Sequence, residues 1–551
     1  MTHRRKLNIW DVCSVVVFVL FLMFILFPLL NILKNSLINP EGQFTLAYFK
    51  KFFSQRYYSS TLLNSIKVAI GATALSLLIG IPLAYFNTVY RLRGSTMLQV
   101  LIILCSMSAP FVGAYSWILL FGRGGTATLF LRSLFGVSIP SIYGFGGIVI
   151  VMTTKMFPLV YLYVSGALKN IDNSLLEASE GMGCTGFSRF WKITLQLCIP
   201  AILAVALMVF IRAMADFGTP LLIGEGYRTF SVEIYKQYVG ESGSSHNFAA
   251  AISVIAIFIT GAFFFIQKAV SKYYSFKMSA LHPIKKKVAK PLSNILMHVY
   301  SYVIVAVSFL PQVYLIYTSF KKTSPSGTDF VPGYSLRNYE VFFKRMGSSV
   351  TTTLYIGLMT LVVTIVIAVL VAYLVTRHKN MLNDMIDTLS MLPYIIPGSV
   401  IGISLVLAYN SKPIVLTGTV LILIIAISIR RMPYTIRSSV ATLQQIPETI
   451  EEAAESLGTS RGKTFFKITI PLMANGIVAG AILSWITILT ELSSSIILYS
   501  SRSTTLTLAT YIFVSRGNYG AAAASASILT AFTTLSLLLF FRVSKTKDLS
   551  L

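Results

Sequence analysis

The stretch EAAESLG at residues 452–458 is a short polar segment in a very apolar chain, and KITIP follows it at 467–471. A weaker copy, EASEGMG at 177–183 with KITL at 192–195, lies 275 residues earlier (452 − 177 = 275). Glutamate near a helix N-terminus favours the helix dipole, small residues allow a partner to approach closely, and glycine permits a sharp change of direction. The two copies therefore predict a duplicated chain with one docking loop in each half.

The composition indicates a polytopic membrane protein. The 551 residues are 55% hydrophobic and only 12% charged, with a mean hydropathy of +0.75. The formal net charge of +26 comes mostly from short basic segments between apolar runs, which fits the positive-inside rule and argues against a nucleic-acid partner. The first apolar run is long enough to span a bilayer by itself, so we expect a retained helix there rather than a cleaved signal.

A spanning helix needs roughly 20 apolar residues, and about six such segments occur in each half of the chain. The predicted fold class is therefore all-α, with about twelve transmembrane helices in two tandem six-helix halves. The first half is predicted to have spans at 12–34, 62–86, 98–121, 146–168, 194–216 and 248–270. The second half is predicted to have spans at 296–318, 352–376, 386–409, 417–439, 470–494 and 520–541.

Basic segments between the spans predict the domain limits and the orientation. We assign the first half to residues 1–275, a basic cytoplasmic linker to 276–295 and the second half to 296–551, with docking loops at about 172–193 and 447–468. With an even helix count, the basic clusters all fall on one side, which the positive-inside rule makes the cytoplasm. Both termini and both docking loops are predicted on that side. The clusters are His3 to Lys6, Arg91, Arg93, Lys268, Lys272, Lys277, Lys285, Lys286, Lys287, Lys290, Arg377, His378, Lys379, Arg542, Lys545 and Lys547.

The repeat extends to the opposite face of the membrane. TL at 45–46 with FF at 52–53 resembles SL at 335–336 with FF at 342–343, at an offset of 290. Basic residues in these outer loops run against the charge rule, and an amphipathic interfacial helix explains them. Two tandem halves with even helix counts have the same topology, so we expect a symmetry axis along the membrane normal and a substrate path between the halves.

Ionisable side chains inside the predicted spans form the second informative pattern, because such groups are costly in a bilayer. Lys155 lies near the middle of the fourth span, and Arg430, followed by Arg431, matches it in the tenth (430 − 155 = 275). One interpretation is that these cations line an aqueous path for an anionic or ligand-complexed substrate. The other is structural: they reach the interface, bind carbonyls freed by Pro158 and Pro433, or pair with acids across the bundle.

Acidic residues also occupy equivalent positions in the two halves, towards the outer side of the membrane. Arg212 and Asp216 lie four residues apart on the fifth span, share a face and are candidates for an ion pair. Glu491 occupies the position equivalent to Asp216 in the second half (491 − 216 = 275). These acids are candidates for contact with substrate, with a docked binding protein or with the other half.

The docking loops resemble the EAA loop of the membrane permease subunits of ABC importers. The second copy matches at Glu452, Ala453, Ala454, Gly458, Ile468 and Pro471; the first keeps Glu177, Ala178, Gly183, Ile193 and Leu195. Ser179 replaces the second alanine of the first copy and Gln196 its proline, which puts equal coupling by both loops in doubt. The resemblance implies that each loop folds as a short coupling helix that docks on a cytoplasmic ATPase.

Across nearly the whole chain, the sequence resembles fused permeases of the ferric-iron class of binding-protein-dependent importers. The stretches that carry this resemblance are MFPLV at 156–160, ADFGTP at 215–220, ELS at 491–493 and YGAAA at 519–523. The resemblance implies a bacterial inner-membrane location, two copies of a separate ATPase and a periplasmic or lipid-anchored binding protein. It favours ferric iron as substrate, while permeases for sugar phosphates, phosphonates and thiamine share much of the pattern.

The sequence contains nothing that indicates catalysis in this chain. It has no Gly-x-x-x-x-Gly-Lys-Ser/Thr phosphate loop, and its five histidines are scattered and predict no metal site. We therefore expect no cofactor in the chain itself and ATP on the partner. An ion-coupled secondary transporter and a membrane scaffold remain alternatives, although neither needs a duplicated docking loop.

Overall fold

The structure is a computed structural model that describes residues 9–106, 110–136, 141–240, 245–273, 282, 284 and 286–543. Part of the basic linker lies outside the described residues. Eight of the basic residues used to predict the orientation also lie outside them: the four from His3 to Lys6, and Lys277, Lys285, Lys545 and Lys547.

Helices account for most of the described residues of the first half. They are α1 (Ile9–Leu37), α2 (Ala47–Ser54), α3 (Arg56–Val89), α4 (Ser95–Ser106), α5 (Pro110–Phe121), α6 (Thr126–Phe135), α7 (Phe145–Lys169), α8 (Asn173–Gly181), α9 (Gly186–Ala215), α10 (Gly218–Ile223), α11 (Phe230–Val239) and α12 (His246–Tyr273).

The second half adds one small sheet to the same kind of helical architecture. Its helices are α13 (Pro291–Ser319), α14 (Arg337–Met346), α15 (Ser348–Arg377), α16 (Met381–Ile395), α17 (Gly398–Tyr409), α18 (Val420–Leu443), α19 (Thr449–Ser456), α20 (Arg461–Leu489), α21 (Ser495–Leu498), α22 (Leu506–Ser515) and α23 (Tyr519–Val543). Strands β1 (Lys321–Thr323) and β2 (Phe330–Tyr334) pair antiparallel, with Lys321 opposite Tyr334 and Thr323 opposite Phe330.

The all-α fold class is confirmed. Among the described residues, nine helices are long and apolar enough to cross a membrane, or up to eleven if each of two bent pairs counts as one span. The remaining predicted span, 417–439, is helix α18, which is 24 residues long. It is not among the nine because Arg430, Arg431 and Arg437 interrupt its apolar sequence. The twelve predicted spans therefore all have helical counterparts.

The third span of each half is broken, so the prediction of a continuous helix at 386–409 is wrong. Helix α16 ends at Ile395, α17 begins at Gly398, and their axes are bent by 114°. Pro397 disfavours the helical conformation at the residue before it, and Ile396 is extended, with φ −82° and ψ 129°. The predicted span 98–121 likewise divides into α4 and α5, on either side of residues 107–109, which lie outside the described part.

The fifth span of the second half also ends earlier than predicted. Helix α20 stops at Leu489 rather than at 494, so Glu491 lies just beyond the helix and not inside it. The matching residue of the first half, Asp216, directly follows the last residue of α9, with an extended backbone. Both acids therefore lie in short irregular segments, where neighbouring backbone N–H groups can reach their carboxylates.

Packing divides the chain into two compact units, and neither is one continuous stretch. Unit one consists of Met1–Phe52, Ile234–Ile257 and Lys321–Thr546, whereas unit two consists of Phe53–Glu233, Phe258–Phe320 and Lys547–Leu551. The limits proposed for the two sequence halves stay predictions, because these units are defined by contact rather than by repetition.

The first span of each half packs in the unit built mainly from the other half. In unit one, α1 lies against α16 and α17, and the Tyr409 hydroxyl donates a hydrogen bond to the Met23 carbonyl at 2.7 Å. In unit two, α13 lies against α4 and α5, and the Tyr302 hydroxyl donates to the Arg93 carbonyl at 3.1 Å. Each sequence half therefore supplies a helix to both units.

The repeated outer segments form two short amphipathic helices, as predicted. In α2, Phe52 is fully buried while Phe53 is 61% exposed. In α14, the equivalent residues show the same contrast, since Phe342 is fully buried and Phe343 is 56% exposed. Each helix therefore has one buried and one exposed phenylalanine.

Matching π-helical turns lie at the ends of the two docking loops. One lies at Phe190–Thr194 near the start of α9, and the other at Phe465–Thr469 near the start of α20, at the repeat offset of 275 (465 − 190 = 275). A third π turn, Leu22–Leu26, lies in α1. Such turns often occur at functional positions within helices, and here two of them join a docking loop to the span that follows it.

We predict that the aromatic contact between α1 and the rest of unit one is a major source of its stability. The buried Trp10 ring lies 4.5 Å from that of Tyr373 and 5.1 Å from that of Phe465, between ring centroids. Trp10→Ala is expected to destabilise the fold by roughly 3 kcal/mol, because it leaves a cavity. The measurement is the midpoint of thermal unfolding in detergent, followed by circular dichroism. Val16→Ala on the exposed face of α1 is the control, and equal midpoints for the two variants would contradict the prediction.

Candidate functional site

The first docking loop contains the short helix α8, which we call the first coupling helix. Asp172 caps its N-terminus by accepting a hydrogen bond from the Ser174 N–H at 2.9 Å, which is the largest cause of a lowered Asp172 pKa. The Asn173 side-chain amide donates to Glu177 Oε1 at 2.6 Å. Gly183 then has φ +80°, a conformation that favours glycine and turns the chain towards α9.

The second docking loop contains α19, the second coupling helix, and repeats this geometry. Gly458 has φ +86°, and the Thr459 N–H donates to the Ala454 carbonyl at 3.0 Å. The matching bond of the first loop joins the Cys184 N–H to the Ser179 carbonyl at 2.9 Å. The two loops therefore end their helices in the same way, although their sequences differ.

Burial follows the same pattern in both coupling helices. Glu177 and Ala178 are exposed, as are their equivalents Glu452 and Ala453. The following residue, Ser179 or Ala454, is buried. Apolar side chains extend the exposed surface at matching positions: Leu175 and Ile450, which are 46% and 41% exposed, and Met182 and Leu457, which are 79% and 87% exposed. Each loop therefore exposes an acidic residue, a small residue and two apolar side chains at matching positions.

The second coupling helix is fixed to the end of α15 by Arg377. Its Nε lies 3.1 Å from Glu451 Oε1, and its Nη2 donates to the Ile446 carbonyl at 2.8 Å. The Arg377 and Glu451 side chains are only 7% and 11% exposed. Removal of one partner from a buried ion pair of this kind strongly destabilises the protein, because the other charge stays buried without compensation.

The intramembrane charges of unit two form an ion pair between α7 and the end of α9. Lys155 Nζ lies 3.7 Å from Asp216 Oδ2, and the Asp216 side chain is 4% exposed. The Thr219 N–H donates to Asp216 Oδ1 at 3.2 Å, and the Ser231 hydroxyl donates to the Asp216 carbonyl at 2.7 Å. Arg212 lies one helical turn before Asp216, but the ion pair that the structure describes for Asp216 is with Lys155.

A small cleft with a mixed polar and apolar lining adjoins this ion pair. Its polar side includes Lys155 and Thr154 of α7, Thr219 of α10 and Gln312 of α13, and its apolar side includes Trp117 of α5. The Lys155 side chain is 22% exposed. The first half therefore presents its intramembrane cation to a small space next to the break in its third span.

Two arginines share one glutamate at the equivalent place in unit one. Arg430 and Arg431 of α18 both bind the Glu491 carboxylate, whose side chain is 1% exposed. The Ser494 N–H and the Ser494 hydroxyl each donate to Glu491 Oε1 at 3.1 Å, and Arg430 also contacts the Ser493 hydroxyl. The cluster of Arg430, Arg431 and Glu491 has a formal net charge of +1, whereas Lys155 and Asp216 balance each other.

Each acid also lies beside the broken third span of its own half. A side chain at Gly398, the first residue of α17, would collide with the guanidinium of Arg430 and the hydroxyl of Ser493. A side chain at Gly218 would meet the backbone nitrogen of Phe111, at the start of α5, at 3.1 Å. The fourth, fifth and third spans of each half therefore converge at the ion pair.

The structure shows that Lys155, Arg430 and Arg431 pair with acids on a neighbouring segment, which is one of the contacts that the structural interpretation offered. Participation of Lys155, Arg430, Arg431, Arg212, Asp216 and Glu491 in a translocation path stays a prediction. Sequence reasoning did not identify the contacts of Arg377 or those of Ser493. The sequence feature that could have identified Arg377 is a difference between the two halves. Ala84 corresponds to Ala372 at an offset of 288, and at the same offset the residue equivalent to Arg377 is Val89.

Comparison with known families gives two matches along the chain. The family model of the binding-protein-dependent transport system inner membrane component matches residues 76–279 and again residues 364–547. Each match contains one coupling helix and one of the two ion-pair clusters. The second match begins 288 residues after the first (364 − 76 = 288), which is close to the offsets found by direct comparison of the halves.

Comparison with curated proteins finds relatives that span most of the chain. The ferric transport system permease protein FbpB of Actinobacillus pleuropneumoniae is 27% identical over 89% of this chain and 72% of the relative. The Fe(3+)-transport system permease protein FbpB 2 of Haemophilus influenzae is 26% identical over 87% of this chain and 88% of the relative. A putative 2-aminoethylphosphonate transport system permease protein, PhnU of Salmonella typhi, is 25% identical over 44% of this chain and 86% of the relative.

We predict that the left-handed glycine shapes the second docking loop. Nothing lies within 4 Å of the position of a Gly458 side chain, so Gly458→Ala changes only the backbone energy. The expected cost is about 1 kcal/mol, which would speed hydrogen exchange of the amides at 457–459 by roughly fivefold. Gly462→Ala is the control, because Gly462 is helical and also has no neighbour within 4 Å. Unchanged exchange in Gly458→Ala would contradict the prediction.

A second prediction concerns the buried carboxylate of Glu491. Glu491→Gln leaves two buried arginines without their counter-charge, which is expected to cost roughly 3–5 kcal/mol. The measurement is the yield of monodisperse protein and its thermal midpoint in detergent. Arg431→Gln added to Glu491→Gln should recover part of the loss, since only one cation then remains. Ser493→Ala is the control, and an equal loss in that variant would contradict the role of the charge.

Proposed function

Because this chain belongs to the family of binding-protein-dependent transport system inner membrane components, we propose that it is the fused permease of an ATP-driven ferric-iron importer. As a member of this family, the chain is a multi-pass inner-membrane transport component rather than an enzyme. In the proposal, ATP binds to a separate cytoplasmic ATPase, and this chain holds no cofactor. The termini and both coupling helices lie on the cytoplasmic side.

The observation that carries the proposal is the pair of coupling helices. Each presents the same arrangement of an exposed glutamate, an exposed alanine and two exposed apolar residues, followed by a left-handed glycine. A duplicated surface of this kind suits two identical partners, which are two copies of the ATPase. The π turns at the ends of the loops lie where movement of a coupling helix would pass into α9 or α20. An ion-coupled secondary transporter would have no use for such a surface.

Ferric iron is the proposed substrate because two relatives that cover most of this chain are ferric transport permeases by name. A phosphorylated solute is the main alternative, since a phosphonate permease resembles part of the chain, and thiamine is another. A periplasmic or lipid-anchored binding protein would deliver the substrate. The ion-pair clusters are proposed to border the translocation path, with Lys155 at the small cleft in the first half.

Stimulation of ATP hydrolysis tests the function and the substrate together. The chain would be reconstituted with its ATPase and binding protein in proteoliposomes, and ferric iron, hexose phosphate, 2-aminoethylphosphonate and thiamine would be added separately. We expect stimulation only by the iron-loaded binding protein. Stimulation by a phosphorylated ligand instead would overturn the iron assignment, and transport driven by an ion gradient without ATP would overturn the importer. Binding protein without ligand is the control.

A further inference from the structure

The two coupling helices are held in place by different parts of the chain. In the second half, Arg377 at the end of α15 binds Glu451 of the coupling helix directly. The first half cannot form this contact, because its equivalent residues are Val89 (377 − 288 = 89) and Leu176 (451 − 275 = 176). Neither side chain carries a charge. The ion pair that joins the second coupling helix to the end of α15 therefore has no equivalent between the first coupling helix and the end of α3.

The basic linker between the halves provides a connection at this place. The Lys287 N–H donates to the Val89 carbonyl at 2.8 Å, and the Arg91 N–H donates to the Lys287 carbonyl at 3.1 Å. These bonds fix the linker backbone against the end of α3, at the residue equivalent to Arg377. The Lys287 side chain then extends to the first docking loop, where its Nζ lies 2.8 Å from Glu180 Oε2.

A second contact joins the linker to the beginning of the same coupling helix. The Asn173 N–H donates to the His282 carbonyl at 2.9 Å, and the His282 N–H donates to Asp172 Oδ2 at 3.2 Å. Asp172 is the residue that caps α8. The linker therefore contacts the first coupling helix at both ends, through the cap at its start and through Glu180 near its end.

We propose that the linker is a positioning element of the first coupling helix, in which Lys287 takes the part that Arg377 has in the second half. The inference rests on the proposed function, since it assigns the linker a role in coupling to the ATPase. In this view the linker is more than a tether between two halves. It supplies the first half with a contact that the second half makes through its own helix.

The exposure of the Lys287–Glu180 ion pair indicates how strongly Lys287 holds the first coupling helix. Lys287 and Glu180 are 43% and 49% exposed, and exposed ion pairs are weak individually. Glu180 also binds Arg189, with Nη1 2.8 Å from Oε2. The pKa of Glu180 is lowered, first by its hydrogen bond from Lys287 and then by that from Arg189, so Glu180 stays ionised at neutral pH. Loss of the Lys287 side chain should therefore loosen the helix without unfolding it.

The first measurement is the mobility of the coupling helix itself. In a chain with its four cysteines replaced by serine, a spin label at Met182→Cys reports on the first loop and a label at Leu457→Cys on the second. Lys287→Met should raise mobility only at position 182, and Arg377→Met only at 457. Lys287→Arg should restore the original spectrum at 182. Lys290→Met, which changes an exposed lysine in the same linker, is the matched control.

The second measurement is the number of substrate molecules transported per ATP hydrolysed. Lys287→Met is expected to lower this ratio by roughly two- to fivefold, the range that an exposed ion pair allows, while Lys287→Arg and Lys290→Met keep it. Unchanged mobility at 182 and an unchanged ratio in Lys287→Met would overturn the inference. If the unaltered chain fails to stimulate any ATPase, the proposed function fails instead, and the mobility measurement still tests the position of the linker.

Discussion

A charge buried in a membrane protein must be compensated within the protein, and this requirement determines how three spans of each half meet. Glu491 is acceptable there because two arginines and the Ser494 N–H surround it. Because the glutamate follows α20 and the arginines lie on α18, the ion pairs fix the fifth span to the fourth. Because Gly398 has no side chain, the start of α17 can lie directly against Arg430 and Ser493. In the first half, Lys155 and Asp216 provide the same connection with one cation fewer.

Sequence patterns predicted the elements of this architecture better than its contacts. The spans and the duplicated loops were predictable because apolar length and repeated letters are local properties of the chain. The break after Ile395 was not predicted, because the sequence stays apolar across Pro397 and Gly398. Sequence spacing suggested Arg212 as the partner of Asp216, whereas the described partner, Lys155, lies 61 residues away (216 − 155 = 61). Spacing identifies neighbours within one helix but not between helices.

The two coupling helices are alike on the surface where they would meet a partner and differ in the contacts that hold them. The exposed glutamate, alanine and two apolar residues of each loop occupy matching positions. The contacts behind them do not match, since one helix is fixed by Arg377 and the other by the linker. In a fused chain only one half is followed by a linker, so the two copies have different neighbours available. Their sequences can therefore diverge behind the docking surface while the surface itself stays the same.

The position of α1 has a consequence for biosynthesis. Helix α1 ends at Leu37, but α17, against which it packs, ends 372 residues later at Tyr409 (409 − 37 = 372). At the usual speed of translation, this separation is a delay of roughly 20 to 75 seconds. During that time the part of α1 that packs on α17 is without this partner. The most apolar part of α1 has a mean hydropathy of 3.0, the highest among the described spans. This value suits a segment that inserts into the bilayer before the helix on which it packs has been made.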